Sequence, residues 1–284
     1  MTILVTGATG QVGRHVVAQL VASGASVRAM TRRPGALPLA GAEVVRGDLL
    51  EPASLPLDGV SALFLFPEPR TACEVVAAAV AAGVRWVVTL SSGAVTGGLD
   101  TDFQLPVEQA VEASGVEWTH LRPGEFASNS LRLWGPRIRS ARVVRYHDPD
   151  WRGLPIHEAD IAAVAVAALL SPGHHGRAYD LTGPERLSAR EQVAAISAAL
   201  GEPVRFEEVT PAESREILKR QGGWAADNAD FLTGFVAYSP SSVPELTPEQ
   251  WDAALRPLPT VEEVTGRPAR TYAEWARDRA DDFR

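Results

Sequence analysis

The sequence predicts an α/β protein: a doubly wound parallel sheet of the Rossmann type, with a smaller, mainly helical C-terminal lobe. Three observations carry that expectation. The chain opens on a short apolar run that enters a glycine-rich turn and then an amphipathic segment. Short apolar runs alternate with helical patterns through the first half of the chain. Each run is nearly continuous rather than alternating, as buried parallel strands are when helices cover both faces of the sheet.

Taken in order, Ile3–Val5 is the first strand and Gly7, Gly10 and Gly13 form a G-x-x-G-x-x-G turn. Val12, Val16, Val17, Leu20 and Val21 then fall on one face of a helix over 11–23. Glycines let backbone turn tightly and approach phosphate closely, while a helix N-terminus offers free N–H groups and a positive dipole end. Further strands are expected at 27–30, 43–46, 62–66, 86–90 and 117–121, with helices at 71–82 and 105–114. Parallel neighbours require long crossovers, and the ligand of such a sheet belongs beyond the carboxyl ends of its strands.

After Pro123 the rhythm changes, with longer segments and more Pro and Trp. Asp160 is placed to cap an apolar helix over 161–170, and 179–183 reads as a strand returning to the main sheet. Ser188 and Glu191 have the spacing of a capping box, and 204–208 reads as a strand of the smaller lobe. The expected division is 1–135 with 157–182 for the larger domain, and 136–156 with 183–284 for the smaller.

Composition narrows the function. The chain has 284 residues, 45% hydrophobic and 22% charged, with a net charge of −8. The negative charge argues against nucleic acid as a partner. No apolar run reaches the roughly 18 residues needed to cross a bilayer, and the first residues read as a strand rather than a signal peptide, so a cytoplasmic protein is expected. Cys73 is the single cysteine, which rules out an internal disulfide and a multi-cysteine zinc site; its Ala/Val-rich helix suggests a packed thiol. His174–His175 lacks carboxylates at ligand spacing, so no metal is expected. Glu108 and Glu112, one helical turn apart, read as a solvated face, and His120 and His157 as structural histidines.

These motifs together resemble the NmrA-like family, an atypical branch of the short-chain dehydrogenase/reductases. The resemblance rests on ILVTGATGQVG at the start, Arg46–Leu49, Ser91–Gly93, Ser114–Pro123, Asp160–Ala162 and Leu181–Glu185, in that order. It implies a nicotinamide dinucleotide held by Gly7, Thr9, Gly10, Gln11, Val12 and Gly13. It further implies Asp48 and Leu49 at the adenine, Phe66 and Pro67 at the ribose and pyrophosphate, and Ser91 and Pro123 toward the nicotinamide. For Asp48 an Asx turn, and for Ser91 a strand-end cap, are equally open. The second strand ends Thr31-Arg32-Arg33 with no carboxylate, and two guanidiniums suit a 2′-phosphate, so NADP(H) is expected over NAD(H).

Most relatives of this superfamily use a tyrosine four residues before a lysine to protonate a carbonyl. Lys219 is the only lysine, and none of the four tyrosines precedes it at that distance. Ser91 and Gln104 are left as weak candidates for a hydrogen bond to a developing oxyanion. Hydride transfer to a quinone or planar carbonyl compound, which needs little acid catalysis, is the leading reading; quinone reductases are among the family's members. A non-catalytic redox sensor and a redox-neutral enzyme stay open. Phe126, Trp134 and Trp224, with Phe66 and Trp151, could stack on a planar small-molecule substrate, although core packing explains each equally well. Gly222–Gly223 could hinge a lid at Trp224. A homodimer through the helices at 71–82 and 105–114 is compatible with the pattern but not demanded by it.

Overall fold

The computed structural model describes residues 1–35, 39–236, 247 and 255–284. In chain order its strands are β1 Thr2–Val5, β2 Ser26–Thr31, β3 Glu43–Arg46, β4 Val60–Leu65, β5 Trp86–Leu90 and β6 Glu117–Pro123. These are followed by β7 Val143–Tyr146, β8 Arg152–Gly153, β9 Arg177–Leu181, β10 Leu187–Ser188 and β11 Arg205–Glu208. The helices used below are α1 Gly13–Ala22, α2 Ala72–Ala81, α3 Gly93–Thr96, α4 Gln104–Ala113, α5 Asn129–Ala141, α6 Glu158–Leu170, α7 Ala189–Leu200 and α8 Pro211–Gln221.

The chain divides into two compact units. The first comprises Met1–Gly124, Glu158–Leu181 and Thr260–Pro268; the second comprises Glu125–His157, Thr182–Pro259 and Ala269–Arg284. The boundary expected at 135 falls inside α5, a continuous helix, and residues 260–268 return to the first unit.

In the first unit seven strands form one sheet in the order β3-β2-β1-β4-β5-β6-β9. Every pairing is parallel. The order reverses between β1 and β4, which opens a crevice at their carboxyl ends. The core is what the apolar runs require: Ile3, Leu4, Val5, Leu63, Phe64, Val87 and Val88 are buried, as are Val16, Val17 and Leu20 on α1. Full burial of a side chain such as Leu20 contributes about 1.5–3 kcal/mol. Val75, Val76 and Ala79 of α2 and Val107 and Val111 of α4 share one cluster with Leu4, Leu63 and Val87.

Three expectations change here. α6 begins at Glu158, so Asp160 lies inside its first turn rather than at its cap. β9 spans Arg177–Leu181, two residues earlier than read from the sequence. Cys73 is exposed, because it occupies the outward face of α2 while Val75, Val76 and Ala79 face the core.

In the second unit β7 pairs in parallel with β11, and β8 antiparallel with β10. Trp134, Ile138, Val193, Ile196, Tyr272, Trp275 and Phe283 form its core. The capping box at α7 is present: Ser188 Oγ accepts from Glu191 N–H at 3.1 Å and Glu191 accepts from Ser188 N–H at 2.7 Å. Thr210 with Glu213, and Thr271 with Glu274, make two more. Among the described residues no helix is long and apolar enough to cross a membrane.

Candidate functional site

The glycine turn closes on itself. Gly7 has φ of 60°, a left-handed conformation that suits glycine, and its carbonyl accepts from Gly10 N–H at 2.8 Å. A Cβ on Gly13 would lie 2.8 Å from the Gly7 carbonyl carbon and 3.1 Å from Ala8 Cα, and one on Gly10 would lie 3.0 Å from the Gly7 oxygen. Each of the three glycines therefore has its own steric reason. Val12 is buried and anchors the loop, and Thr9 and Gln11 are half-buried, Gln11 accepting from the Arg14 guanidinium at 3.1 Å.

α1 starts at Gly13 without a capping side chain and without an acid in its first turn. A helix end left so, at the mouth of a glycine loop, suits an anion that accepts from its backbone N–H groups. Thr6 ties the loop to β4: its hydroxyl donates to Phe64 C=O at 3.0 Å and accepts from Phe66 N–H at 2.7 Å. That places Phe66, 44% exposed, against Gly7, where a Cβ would come within 3.2 Å of the phenylalanine side chain. Pro67 beside it is buried.

At the end of β2, Thr31 is buried and its hydroxyl accepts from Arg33 N–H at 3.2 Å. Arg32 and Arg33 are exposed, and neither forms an ion pair among the described residues. Asp48 follows β3, and its carboxylate accepts from Leu50 N–H at 3.0 Å, an Asx turn, while Leu49 is buried.

The ends of β5 and β6 carry a polar cluster that the sequence reading placed on the surface. Glu108 of α4 is buried, and Arg122 of β6 grips it with both arms, Nε to Oε1 at 3.0 Å and Nη2 to Oε2 at 2.6 Å. Burial alone would push the Glu108 carboxyl up; Arg122, with Ser91 and His120 nearby, outweighs it and holds the group below the usual carboxylate range. Glu112 fits the solvated reading, with its side chain 45% exposed, but it lies 3.4 Å from the fully buried ring of His120. Burial pushes His120 down to about 4, so the ring is neutral at physiological pH, stacked 4.3 Å from Trp118. Donor atoms of Glu108, Glu112 and His120 lie within 4.8 Å of one another, but both Glu108 oxygens are engaged by a guanidinium, which opposes a cation there. Arg122 also donates to Thr96 at 3.2 Å, and Thr96 to Asp180 at 2.6 Å.

Ser91, at the end of β5, is 5% exposed and its hydroxyl has no partner of ordinary hydrogen-bond geometry. Gln104 opens α4, and its buried side-chain oxygen is likewise unpartnered. Asp100 caps that helix, accepting from Phe103, Gln104 and Leu105 N–H, a device the sequence reading missed because its partners follow a turn rather than an apolar run. Pro123 is buried, and Gly124 N–H donates to Leu181 C=O at 2.9 Å.

In the second unit Trp134 is 5% exposed and packs edge-on against Tyr146, as a core residue does. Phe126 is half-buried and bridges to Ile156. Trp224 is half-buried, with the Arg132 guanidinium 5.1 Å from its ring, and Trp151 is exposed. Gly222 and Gly223 both have positive φ, at 78° and 55°. The buried His157 ring sits 3.3 Å from Asp278. Glu125 carries a carboxyl that burial pushes up to about 7, partly offset by a hydrogen bond from Gln192. Gln192 in turn contacts Ser130 at 3.3 Å, which accepts from Tyr272 at 2.6 Å.

A seven-stranded doubly wound sheet with this glycine cradle defines a dinucleotide-binding α/β protein. The comparisons agree: residues 7–172 match the NAD(P)H-binding family. The chain belongs to that family. It is 43% identical over 99% of both chains to a (4-alkanoyl-5-oxo-2,5-dihydrofuran-3-yl)methyl phosphate reductase of Streptomyces griseus. It is 35% identical, again over 99% of both, to an NAD(P)H azoreductase of Xenophilus azovorans. Among solved structures, the NADPH complex of a quinone oxidoreductase from Escherichia coli superposes with a TM-score of 0.77 at 26% identity, covering 97% of this chain and 99% of that one. The chain binds NAD(P)H, and the cradle fits the group: a Cβ at Gly7, Gly10 or Gly13 would crowd the loop, and the helix end beyond it is uncapped.

Proposed function

We propose that the chain is an NADPH-dependent reductase that delivers hydride to a conjugated, electron-poor acceptor, a quinone or planar unsaturated carbonyl compound. The observation that carries the reading is the chemistry at α4. In place of a Tyr-x-x-x-Lys pair it presents Gln104 and an ionised Glu108 locked to Arg122, so the buried face of that helix offers no free acid. An acceptor reduced here must tolerate negative charge without a strong proton donor beside it. Conjugated acceptors do so, because hydride adds at one end of the system and the charge develops on a remote oxygen or nitrogen that takes its proton from water. The names of the relatives fit that rule: an acylated oxodihydrofuran, an azo compound and a quinone are all conjugated acceptors.

When bound, the reduced nicotinamide supplies the hydride. The protein's residues bind and orient. Gly7, Thr9, Gly10, Gln11, Val12 and Gly13 seat the pyrophosphate, and Phe66 and Pro67 border it. Arg32 and Arg33 take the 2′-phosphate and so select NADP(H), while Asp48 and Leu49 border the adenine. Ser91 and Pro123 flank the nicotinamide. Alignment of donor and acceptor supplies most of the acceleration.

The test follows NADPH absorbance with purified protein against quinones, azo dyes and an acyl-oxodihydrofuran phosphate. Saturable consumption with stoichiometric reduced product supports the reading. Tight binding without consumption across the panel would point to a sensor, and product without cofactor oxidation to redox-neutral chemistry.

A further inference from the structure

The second unit carries an open sheet edge at β11. β7 and β11 form a parallel pair, and among the described residues no further strand joins them. Arg205 and Val209 N–H donate to Arg142 and Tyr146 C=O at 3.0 and 3.2 Å. Backbone groups alternate sides along a strand, so residues 205, 207 and 209 face β7, while Phe206 and Glu208 aim their N–H and C=O groups outward. Val204 belongs to the outward set, but its N–H already donates to Ser197 Oγ at 3.0 Å. A strand added here meets donors at 206 and 208 and acceptors at 204, 206 and 208.

Charged side chains usually blunt such an edge. On β11 their spacing admits one partner, a second copy of the chain. Two copies of one strand related by a twofold axis pair antiparallel, with the axis normal to the sheet, so each side chain keeps its own face. Only residues an even number of positions apart can then stand opposite. Centring the pair on Phe206 sets Arg205 against the second copy's Glu207, and Glu207 against its Arg205. Centring it on Arg205, Glu207 or Glu208 sets like charges together. The Phe206 register also suits the backbone, because Phe206 N–H and C=O point outward and Glu208 N–H meets the second copy's Val204 C=O. The free edges of the main sheet lack this pattern. The opposite charges of β3, Glu43 and Arg46, and of β9, Arg177 and Asp180, are three residues apart and lie on opposite faces.

The side chains are available. Arg205 is 73% exposed and Glu207 43%, and Arg145 of β7 lies 3.3 Å from Glu207, which would extend the charge ladder across the pair. On the other face Arg190 lies 5.2 Å from the Phe206 ring, and a groove beside β11 is lined by the exposed small side chains Ala194 and Ala198 of α7.

We propose that β11 is a homodimer edge, where two copies join antiparallel about Phe206 through backbone hydrogen bonds at 206 and 208 and reciprocal Arg205–Glu207 pairs. This places the dimer on a strand of the second unit rather than on α2 and α4, and it is independent of the proposed activity.

Sedimentation velocity on the full chain, over a concentration series, tests it. The parent should dimerise reversibly, and more weakly as salt rises. Arg205→Glu and Glu207→Arg each turn attraction into repulsion and should weaken the homodimer by about tenfold or more. Mixed in equal amounts, these two variants should pair with each other as the parent does, because each supplies the charge that the other lacks. Glu208→Pro, which removes an outward N–H and no bond to β7, should leave a monomer. A parent that is monomeric at every concentration overturns the proposal. So does a dimer indifferent to both charge reversals, which would lie on another face, and so do reversed variants that are folded by circular dichroism yet fail to pair when mixed.

Discussion

Gly13→Ala is the sharpest perturbation of the cradle. The new Cβ would lie 2.8 Å from the Gly7 carbonyl carbon, with the carbonyl oxygen closer still. Carbon atoms settle at about 3.5 Å or more, so the overlap is roughly 0.7 Å or larger, against backbone that cannot rotate aside. The loop must move, and Gly7 cannot absorb the shift cheaply, because Phe66 already packs against it. Overpacking of this kind costs about 1–3 kcal/mol of stability. The larger effect falls on the ligand, since a displacement near 1 Å in a positioned site can cost about 100-fold. Gly24→Ala provides the control: Gly24, unlike Gly13, sits at positive φ, 80°, and a Cβ there meets nothing within 4 Å. That variant should lose about 1–2 kcal/mol through backbone strain alone. Thermal melts and NADPH fluorescence titrations on both proteins separate the effects. Both should melt earlier, and only Gly13→Ala should lose NADPH affinity, by tenfold or more. Equal NADPH affinity in the two variants would refute the steric argument.

Arg32→Ala should weaken NADPH far more than NADH, measured by calorimetry, because only the former carries the 2′-phosphate; equal losses reject the assignment. Glu108→Ala leaves Arg122 without its carboxylate and should cost about 3–5 kcal/mol in a denaturant melt, whereas replacing both residues with apolar ones should cost less. The Glu108 carboxyl sits below its usual range when folded, so its contribution is fully present above the unfolded carboxyl value near pH 4.3 and disappears as pH falls through the folded one. Glu125 has the opposite sign. Its folded value is raised to about 7, so stability should fall as pH rises from about 4 to 7, by up to a few kcal/mol. Glu125→Gln should flatten that slope and melt higher than the parent at pH 8; an unchanged slope would place the carboxyl in water.

Much of the fold was legible because strand and glycine signals are local. The apolar runs at β1 and β5 and the capping box at Ser188 need no distant partner to be recognised, and they appear where expected. Glu108 was not legible. Two carboxylates four residues apart look the same on a wet helix face as on a buried one, and what distinguishes them is Arg122, 14 residues away on the next strand. Trp134 illustrates the reverse: an aromatic beside Gly and Pro suggests a pocket wall, yet its helix turns it into the core of the second unit. Asp48 accepts from Leu50 N–H in an Asx turn, a local feature that its own sequence signals. Cys73 lies among alanines whose burial alternates around α2, so composition alone could not assign its face.

The central claim is that the protein reduces conjugated acceptors without a Tyr-x-x-x-Lys pair or a free acid on α4. It is tested most directly by steady-state NADPH oxidation with a quinone and with an isolated, unconjugated ketone of similar shape. The account predicts saturable turnover of the quinone and none of the ketone, with one equivalent of NADPH consumed for each quinone reduced. Efficient reduction of the ketone would contradict it, because that reaction requires a proton donor at the carbonyl oxygen.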